Sequence, residues 1–477
     1  MSRPPNILWI CMDQHPYANR GAVAQTLPLQ TRMAREGTRY TNAFTVLPIC
    51  SPARASMLTG LYPHAHGLTE NDGRFGGRAG LTPSEWMVHR PLAEAGYRAA
   101  WFGKWHLDNH SDAGAFGFEG WSLPGYGYPY ATPDYADYLD RRGIAAPVAV
   151  VGLPGESGTP AGTRLALCDL PDWPDYEAGA YLLDGPEEVH EAFFVADLAT
   201  SWIAQNGAEP FFLRVDPWGP HPPYLATKGL LDRFNETDAR PPNFFSDLAH
   251  RPAHHREYRD TWEGLGLDDA GWRRLCQFSL AQACLVERAL CGVLDALERA
   301  GIAERTLVVV SADHGDAVAS NGRVANKGGL LVEETVRVPL LLRGPGLRPG
   351  AVDDALLANA DLAPALLNAA GLEVPHELQG NGLQARRGGV LLQHYGLHQP
   401  LMQRCWHTGD WKLVLQEDGF AELYDLANDP CELVNLADRR RHADRRAALQ
   451  RAMFAEMDRQ GDSGARQDRL IANSAPG

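Results

Sequence analysis

Unbroken apolar runs alternate with helical periodicities through the first two thirds of the chain, and each apolar run stops at a polar cluster. Ile7 to Met12 contains no polar position, which predicts a strand buried on both faces. Leu29 to Glu36 reads as a helix closed by Gly37, and Pro83 to Ala95 as another closed by Gly96. Tyr97 to Phe102 follows as a strand ending at Gly103. Ser201 to Gln205 closes a helix ahead of a strand at Phe211 to Val215. Gly271 to Ala300 predicts a long amphipathic helix stopped by Gly301, and Thr306 to Val310 a β-branched strand. Repeated strand–helix units predict an α/β fold whose mostly parallel sheet is sandwiched by helices.

Two stretches break the pattern. Residues 108–190, rich in Gly, Pro and aromatics (Trp121 to Tyr130 above all), and residues 235–262 read as irregular insertions, either loops packing their own aromatics or walls of a substrate pocket. Beyond about residue 375 the pattern shifts. Val390 to Leu392, then Trp411 to Leu415 and Ala421 to Tyr424 across Asp418-Gly419, predict an antiparallel hairpin unit. A charged helix is expected from about 440 to 460, with a frayed last dozen residues. The expected organisation is a catalytic domain over 1–375 and a smaller C-terminal subdomain with an antiparallel sheet over 376–477.

The polar clusters carry the chemistry. Asp13-Gln14, Lys104-Trp105-His106, Asp216 to His221 and Asp313-His314 each follow a predicted strand, at the edge where open α/β sheets bind ligands. Ser51 and Pro52 can cap a short helix through Leu58 that stops at Gly60. Cys50 would then sit where free N–H groups and the positive helix end favour anions and activate a nucleophile. Arg54, one turn in, adds a fixed positive charge.

Composition narrows the options. At 477 residues, 44% hydrophobic and 22% charged, the chain can bury one large core plus a smaller unit. No apolar run approaches the ~20 residues of a membrane span. A formal net charge of −15 argues against nucleic-acid binding, although an acidic surface can still hold a basic pocket. The apolar start meets Asp13-Gln14-His15 at once, with no small-residue cleavage site, so a buried strand and a cytoplasmic location are expected. The eight cysteines form no C-x-x-C pair, and all but Cys50 read as small buried hydrophobes.

Cys50-Ser51-Pro52-Ala53-Arg54 resembles the C-x-P-x-R signature of the sulfatase family, within the alkaline-phosphatase-like superfamily. Asn6 to Gln14, Leu58-Thr59-Gly60, Gly103 to His106, Pro220-His221-Pro222-Pro223, Ser311 to Asp316 and Lys327 agree with it in order and spacing, as do Glu422 to Leu426 and Asn428-Asp429-Pro430 near the C-terminus. The resemblance implies an alkaline-phosphatase-like core. It also implies that a formylglycine-generating enzyme oxidises Cys50 to formylglycine, whose hydrated aldehyde is the nucleophile. Attack on sulfur by one hydroxyl of the gem-diol, then expulsion of sulfate by the other, spares any attack of water on sulfur.

By the same resemblance Asp13, Gln14, Asp313 and His314, with the modified Cys50, would hold one divalent metal. Oxygen donors suit Ca²⁺, but many relatives have Asp at the Gln14 position and Asn at the His314 position, and the nitrogen donor makes Mn²⁺ a competitor. Lys104 and Lys327 would clamp the transferred group and Arg54 the nucleophile side. His221, with Lys327, would protonate the leaving alcohol, and His106 would take the proton in the release step. His64, His66, Asn71, Asp72 and Arg74 are candidate substrate contacts. The expected activity is arylsulfatase-type hydrolysis of a small-molecule or carbohydrate sulfate ester. The alternatives are a phosphonate monoester or phosphodiester hydrolase, a branch that Gln14 and His314 also fit, and a catalytically silent binding protein. Whether the chain acts alone or as a homo-oligomer stays open.

Overall fold

The computed structural model describes residues 4–16, 27–153, 159–170, 179–234, 239–262, 267–397, 399–462 and 465–472. The first four strands are β1 (Asn6–Met12), β2 (Thr38–Phe44), β3 (Arg98–Lys104) and β4 (Glu119–Leu123). β5 (Val148–Leu153), β6 (Arg164–Ala166) and β7 (Ala180–Asp184) follow, then β8 (Phe211–Asp216) and β9 (Tyr224–Thr227). β10 (Thr306–Ala312), β11 (Leu340–Arg343) and β12 (Ala351–Ala358) complete the larger part of the chain. The C-terminal strands are β13 (Val390–Gly396), β14 (Pro400–His407), β15 (Trp411–Gln416) and β16 (Ala421–Asp425).

Eight strands form the central sheet in the order β12-β2-β11-β10-β1-β8-β3-β4. Neighbours run parallel except β11, which is antiparallel to both β10 and β2, so the mostly parallel sheet expected from the strand–helix repeats is present. Every residue of β1 and β10 is buried, which is why these runs need no polar alternation. One group of helices (Pro28–Glu36, Glu191–Asn206 and Asp269–Arg299) packs together, and a second joins Cys50–Thr59 to Leu362–Ala370. The Asp268 side chain caps the long helix by accepting from the Gly271 amide. Helix Pro28–Glu36 has no side-chain cap of its own. Glu287, buried in the long helix, supplies one from outside: its Oε2 accepts from the Leu29 and Gln30 amides at 2.9 and 3.1 Å.

Five local expectations need correction. The segment 83–95 is helical only over His89–Glu94, because the Val88 amide donates to the Leu58 carbonyl and Pro91 fits only a first turn. The insertion 108–190 is not irregular throughout. It contributes β4 to the central sheet and carries helix Pro133–Arg142, while β6-β5-β7-β9 form a separate sheet of short strands between Gly and Pro positions. In the second insertion Ala253–Trp262 is helical, and residues 235–238 lie outside the described part. The last dozen residues are not frayed throughout: helix Ala465–Ala472 runs into them, and 473–477 are outside the described part. Cys168 is exposed, unlike the buried role expected of it.

β13 to β16 form a four-stranded antiparallel sheet with the predicted hairpin at its end, packed on helix Ala443–Gln460. Its apolar core is continuous with Phe44, Val46 and Tyr62 from the larger part of the chain. A buried Arg251 guanidinium ties the parts together, donating to Glu422 Oε2 and the Tyr424 hydroxyl on β16 and to Asn321 Oδ1. Among the described residues no helix is long and apolar enough to cross a membrane.

Candidate active site

The strand order puts β10, β1, β8 and β3 side by side, so their four polar C-terminal extensions meet at one edge. β1 delivers Asp13 and Gln14, β3 delivers Lys104 and His106, β8 leads through Asp216 to His221, and β10 delivers Asp313 and His314. All are buried. Gln14 and His106 hold φ of 52° and 54°, a left-handed backbone that costs a non-glycine residue about 1–3 kcal/mol and clusters at functional sites.

The facing helix begins at Cys50 itself, after Ile49, and not at Pro52 behind a Ser51 cap. A local cap is unnecessary, since the Ser51 amide donates 3.0 Å to Asn71 Oδ1 from outside the helix. Gly60 closes the helix at φ 66°, as expected.

Cys50 points into an acidic pocket. The ligand atoms of Asp13, Cys50, Asp313 and His314 all lie within 4.8 Å of one another. Cys50 Sγ stands 3.2 Å from His314 Nε2 and 3.8 Å from Asp13 Oδ1. His314 Nδ1 is 2.9 Å from the Gly315 carbonyl, which can only accept, so the proton belongs on Nδ1 and the Nε2 lone pair faces the pocket. Burial first, and then the Asp313 charge, push the Asp13 carboxyl up to about 7. Burial acts on Asp313 in the same sense, but the neighbouring His314 imidazole and the charges of Arg54 and Lys104 outweigh it and hold that carboxyl well below the usual range. Two carboxylates crowded in a dry pocket, with an imidazole nitrogen aimed at them, are a donor set that a divalent cation fits. Gln14 lies beside this group: its backbone N–H donates 3.0 Å to Asp313 Oδ1, and its side-chain Oε1 accepts from Lys327 Nζ at 2.7 Å.

Positive charge surrounds the pocket. Lys104 Nζ donates 2.5 Å to Asp13 Oδ2 and sits 4.3 Å from the centre of the Tyr126 ring. Arg54 donates through Nε to Asp313 Oδ2 and through Nη1 to Asp216 Oδ2, each at 2.9 Å. Lys327 Nζ is 3.0 Å from His221 Nε2, while His221 Nδ1 is 2.6 Å from the Pro222 carbonyl. The carbonyl requires the imidazole proton on Nδ1, so Lys327 is the donor in that pair. Burial, then the Lys327 and Lys104 charges, drive the His221 imidazole well below its ordinary range.

Above Cys50 opens a cavity of about 250 Å³, bounded also by Glu70, Asn71, Asp72, Arg74, His106, Asn109, Tyr126, His221, Lys327 and Leu397. Asn71, Asp72 and Arg74 thus stand at the cavity, with Arg74 paired to Asp72 at 2.5 Å. His64 and His66 do not line it. His66 bonds Ser56 Oγ at 3.0 Å, and His64 bonds the Gln460 carbonyl at 2.9 Å, so they tie the fold together. Tyr126 and Asn109 come from the insertion whose aromatic run was read as either a structural loop or a pocket wall, and they stand at the cavity; sequence reasoning assigned nothing to Glu70 or Leu397. Asp216 also had no role, although it follows its strand just as Asp13 and Asp313 follow theirs.

A family model described as Sulfatase matches residues 5–372, and one described as N-sulphoglucosamine sulphohydrolase, C-terminal, matches 327–459. The chain belongs to the sulfatase family. It is a hydrolase acting on sulfate esters. It is 28% identical over 480 residues to the uncharacterized sulfatase YidJ of Escherichia coli, covering 95% of this chain and 87% of that one. It is 25% identical over 501 residues to an N-acetylglucosamine-6-O-sulfatase of Bacteroides thetaiotaomicron, covering 94% and 85%. The phosphonate monoester hydrolase of Agrobacterium radiobacter shares the fold, with a TM-score of 0.74 at 21% identity over 96% of each chain.

Proposed function

We propose that this sulfatase cleaves a sulfate monoester carried on a sugar. It would use a formylglycine made from Cys50 and one divalent cation, Ca²⁺ or Mn²⁺, held by Asp13, Asp313, His314 and the modified side chain, with Gln14 adjoining. One observation carries this reading: the cysteine at the first turn of its helix faces two carboxylates and an imidazole lone pair while two lysines close the other side. Sugar specificity is supported by the N-acetylglucosamine-6-O-sulfatase relative and by amide, carboxylate and guanidinium groups around the cavity. Cys50 is 1% exposed, so its oxidation would precede folding.

The hydrated aldehyde would supply one hydroxyl to attack sulfur and a second to release sulfate, and the cation would polarise the sulfuryl oxygens. The remaining work belongs to side chains. Lys104 and Lys327 face the transferred group and offset its growing negative charge. Lys327 gives the leaving oxygen its proton, and neutral His221 orients that ammonium through the 3.0 Å contact. His106, kept neutral by burial and then by the Lys104, Arg54 and Lys327 charges, takes the proton in the release step.

Two measurements test these roles. Chelation followed by gel filtration is expected to lower turnover at least ~100-fold, because Lewis-acid polarisation is worth several kcal/mol. Readdition of Ca²⁺ or Mn²⁺ then identifies the cation by which one restores turnover. For His106 the sign is fixed by its role. A base must be unprotonated, so activity falls as pH drops through the depressed His106 pKa, and the acid limb of kcat lies well below 6.5. A limb at ordinary histidine pH, or one unmoved in His106→Asn, would count against the assignment.

The imidazole at position 314 also favours a second reading, a phosphonate monoester or phosphodiester hydrolase. Comparing kcat/KM on 4-nitrophenyl sulfate and 4-nitrophenyl phenylphosphonate decides between them, and the sulfatase reading requires the sulfate to be preferred.

A further inference from the structure

Two buried polar side chains that the mechanism leaves unused bond the loop that carries His221. Gln282, midway along helix Asp269–Arg299, is 1% exposed, and Glu191, the first residue of helix Glu191–Asn206, is fully buried. Gln282 Nε2 donates 3.3 Å to the His221 carbonyl and 3.2 Å to that of Pro223. Two carbonyls, which can only accept, outweigh the single His190 Nε2 contact at 3.4 Å and fix the amide with its N–H₂ group toward the loop. Glu191 Oε1 accepts from the Gly219 backbone N–H at 2.8 Å. The Gly219 carbonyl in turn accepts from the Asp13 backbone N–H at 3.2 Å. The loop lies directly on the long helix, since a Cβ added at Gly219 would stand 2.5 Å from Val286 Cγ2.

Packing alone explains Gln282 poorly. Its Oε1 is buried with no partner among the described residues, a cost to stability that an apolar side chain of the same length avoids. What the amide gains is its hold on two carbonyls of the loop, at the end of the site where the proton moves. His221 Nε2 accepts from Lys327 Nζ at 3.0 Å. As the S–O bond breaks, its electron pair goes to the ester oxygen, and the Lys327 ammonium gives that oxygen a proton. A misplacement of ~1 Å in such a constellation can cost ~100-fold in rate.

We infer that Gln282 and Glu191 are positioning residues for the leaving-group proton: from two helices they hold the His221 loop where His221 Nε2 keeps the Lys327 ammonium on the ester oxygen. The inference rests on the role proposed for Lys327 and extends it to two side chains that act only through the loop.

The test compares two leaving groups, because 4-nitrophenol departs readily as its anion and phenol departs poorly without a proton. The ratio kcat/KM reports every step up to that departure. Gln282→Met keeps the side-chain length and removes the donor. It is expected to lower kcat/KM for phenyl sulfate by about 30-fold or more and for 4-nitrophenyl sulfate by no more than about three-fold, a share of the ~10²–10⁴-fold that general-acid catalysis supplies. A merely structural role would scale both substrates by one factor, since it changes only the amount of active enzyme. Burial pushes the Glu191 carboxyl up to about 8, so near neutral pH an uncharged group suffices at that position. Glu191→Gln, which keeps an accepting oxygen, should therefore retain the native ratio of the two rates, and Glu191→Met should shift it as Gln282→Met does. If an apolar variant does not fold, Gln282→Asn, which withdraws the amide by one methylene, carries the same comparison. Equal factors on both substrates in the folded variants, or no change on either, would overturn the inference. If the native enzyme cleaves phenylphosphonates and not sulfates, the sulfate-ester reading falls, and the same two leaving groups on phenylphosphonate decide the positioning role. Turnover of neither ester class would overturn both.

Discussion

Cys50→Ala is expected to lower kcat by roughly 10⁴-fold or more, the scale seen when a covalent nucleophile is removed, with the fold retained. Each tenfold is ~1.4 kcal/mol of barrier, so the loss exceeds about 5 kcal/mol. No other change at the site removes the atom that bonds to sulfur. The thiol is small and lines a cavity already present, so the alanine variant should keep its thermal transition. Cys50→Ser separates two chemistries. A serine hydroxyl can attack sulfur, but it has no second geminal hydroxyl to expel sulfate, so the variant should trap one equivalent of sulfate and stop. Mass spectrometry of the Cys50 peptide from active enzyme should show an aldehyde. Full turnover from an unmodified thiol would defeat the proposed mechanism.

The largest stability effect is expected at Asp216. This carboxylate, fully buried, accepts from Arg54 Nη1 at 2.9 Å and from Arg214 Nε at 2.9 Å and Nη2 at 2.5 Å. Arg214 is itself enclosed, its guanidinium carbon 4.0 Å from the Trp9 ring centre and 4.6 Å from that of Trp101. Asp216→Ala would leave Arg214 without its carboxylate partner and Arg54 with Asp313 alone. Breaking one side of a buried ion pair costs about 3–5 kcal/mol, because the stranded charge cannot reach water. Denaturant unfolding should show a loss of that size, with Asp216→Asn intermediate. Activity should fall further than stability explains, since Arg54 also positions Asp313. A change under ~1 kcal/mol would mean that water or another acid replaces the carboxylate.

Much of the site was legible because its residues sit at strand ends. An apolar run followed by Asp13, Lys104 or Asp313 states locally both that a strand is buried and where it stops. The helix at Cys50 was legible from Pro52 and Gly60, yet its first residue was misplaced, since Asn71 caps it from outside. Helix Pro28–Glu36 shows the same limit: its cap is Glu287, 258 residues away. Leu397 gave no signal because irregular segments have no period to read, and Tyr126 was visible only as part of an aromatic-rich insertion.

Periodicity and polar punctuation along the chain determined strands β1, β3, β8 and β10, the long helix, the parallel character of the sheet and most of the groups at the candidate site. These depend on neighbours within a few residues, where backbone geometry and burial act directly. The tertiary structure alone decided the strand order that brings β10, β1, β8 and β3 together. It also decided the pairing of Asp216 with two arginines and the hold of Gln282 on the His221 loop. Those depend on which strands and buried charges meet across long stretches of chain, 162 residues in the case of Arg54 and Asp216, and desolvation settles that only once the sheet has closed.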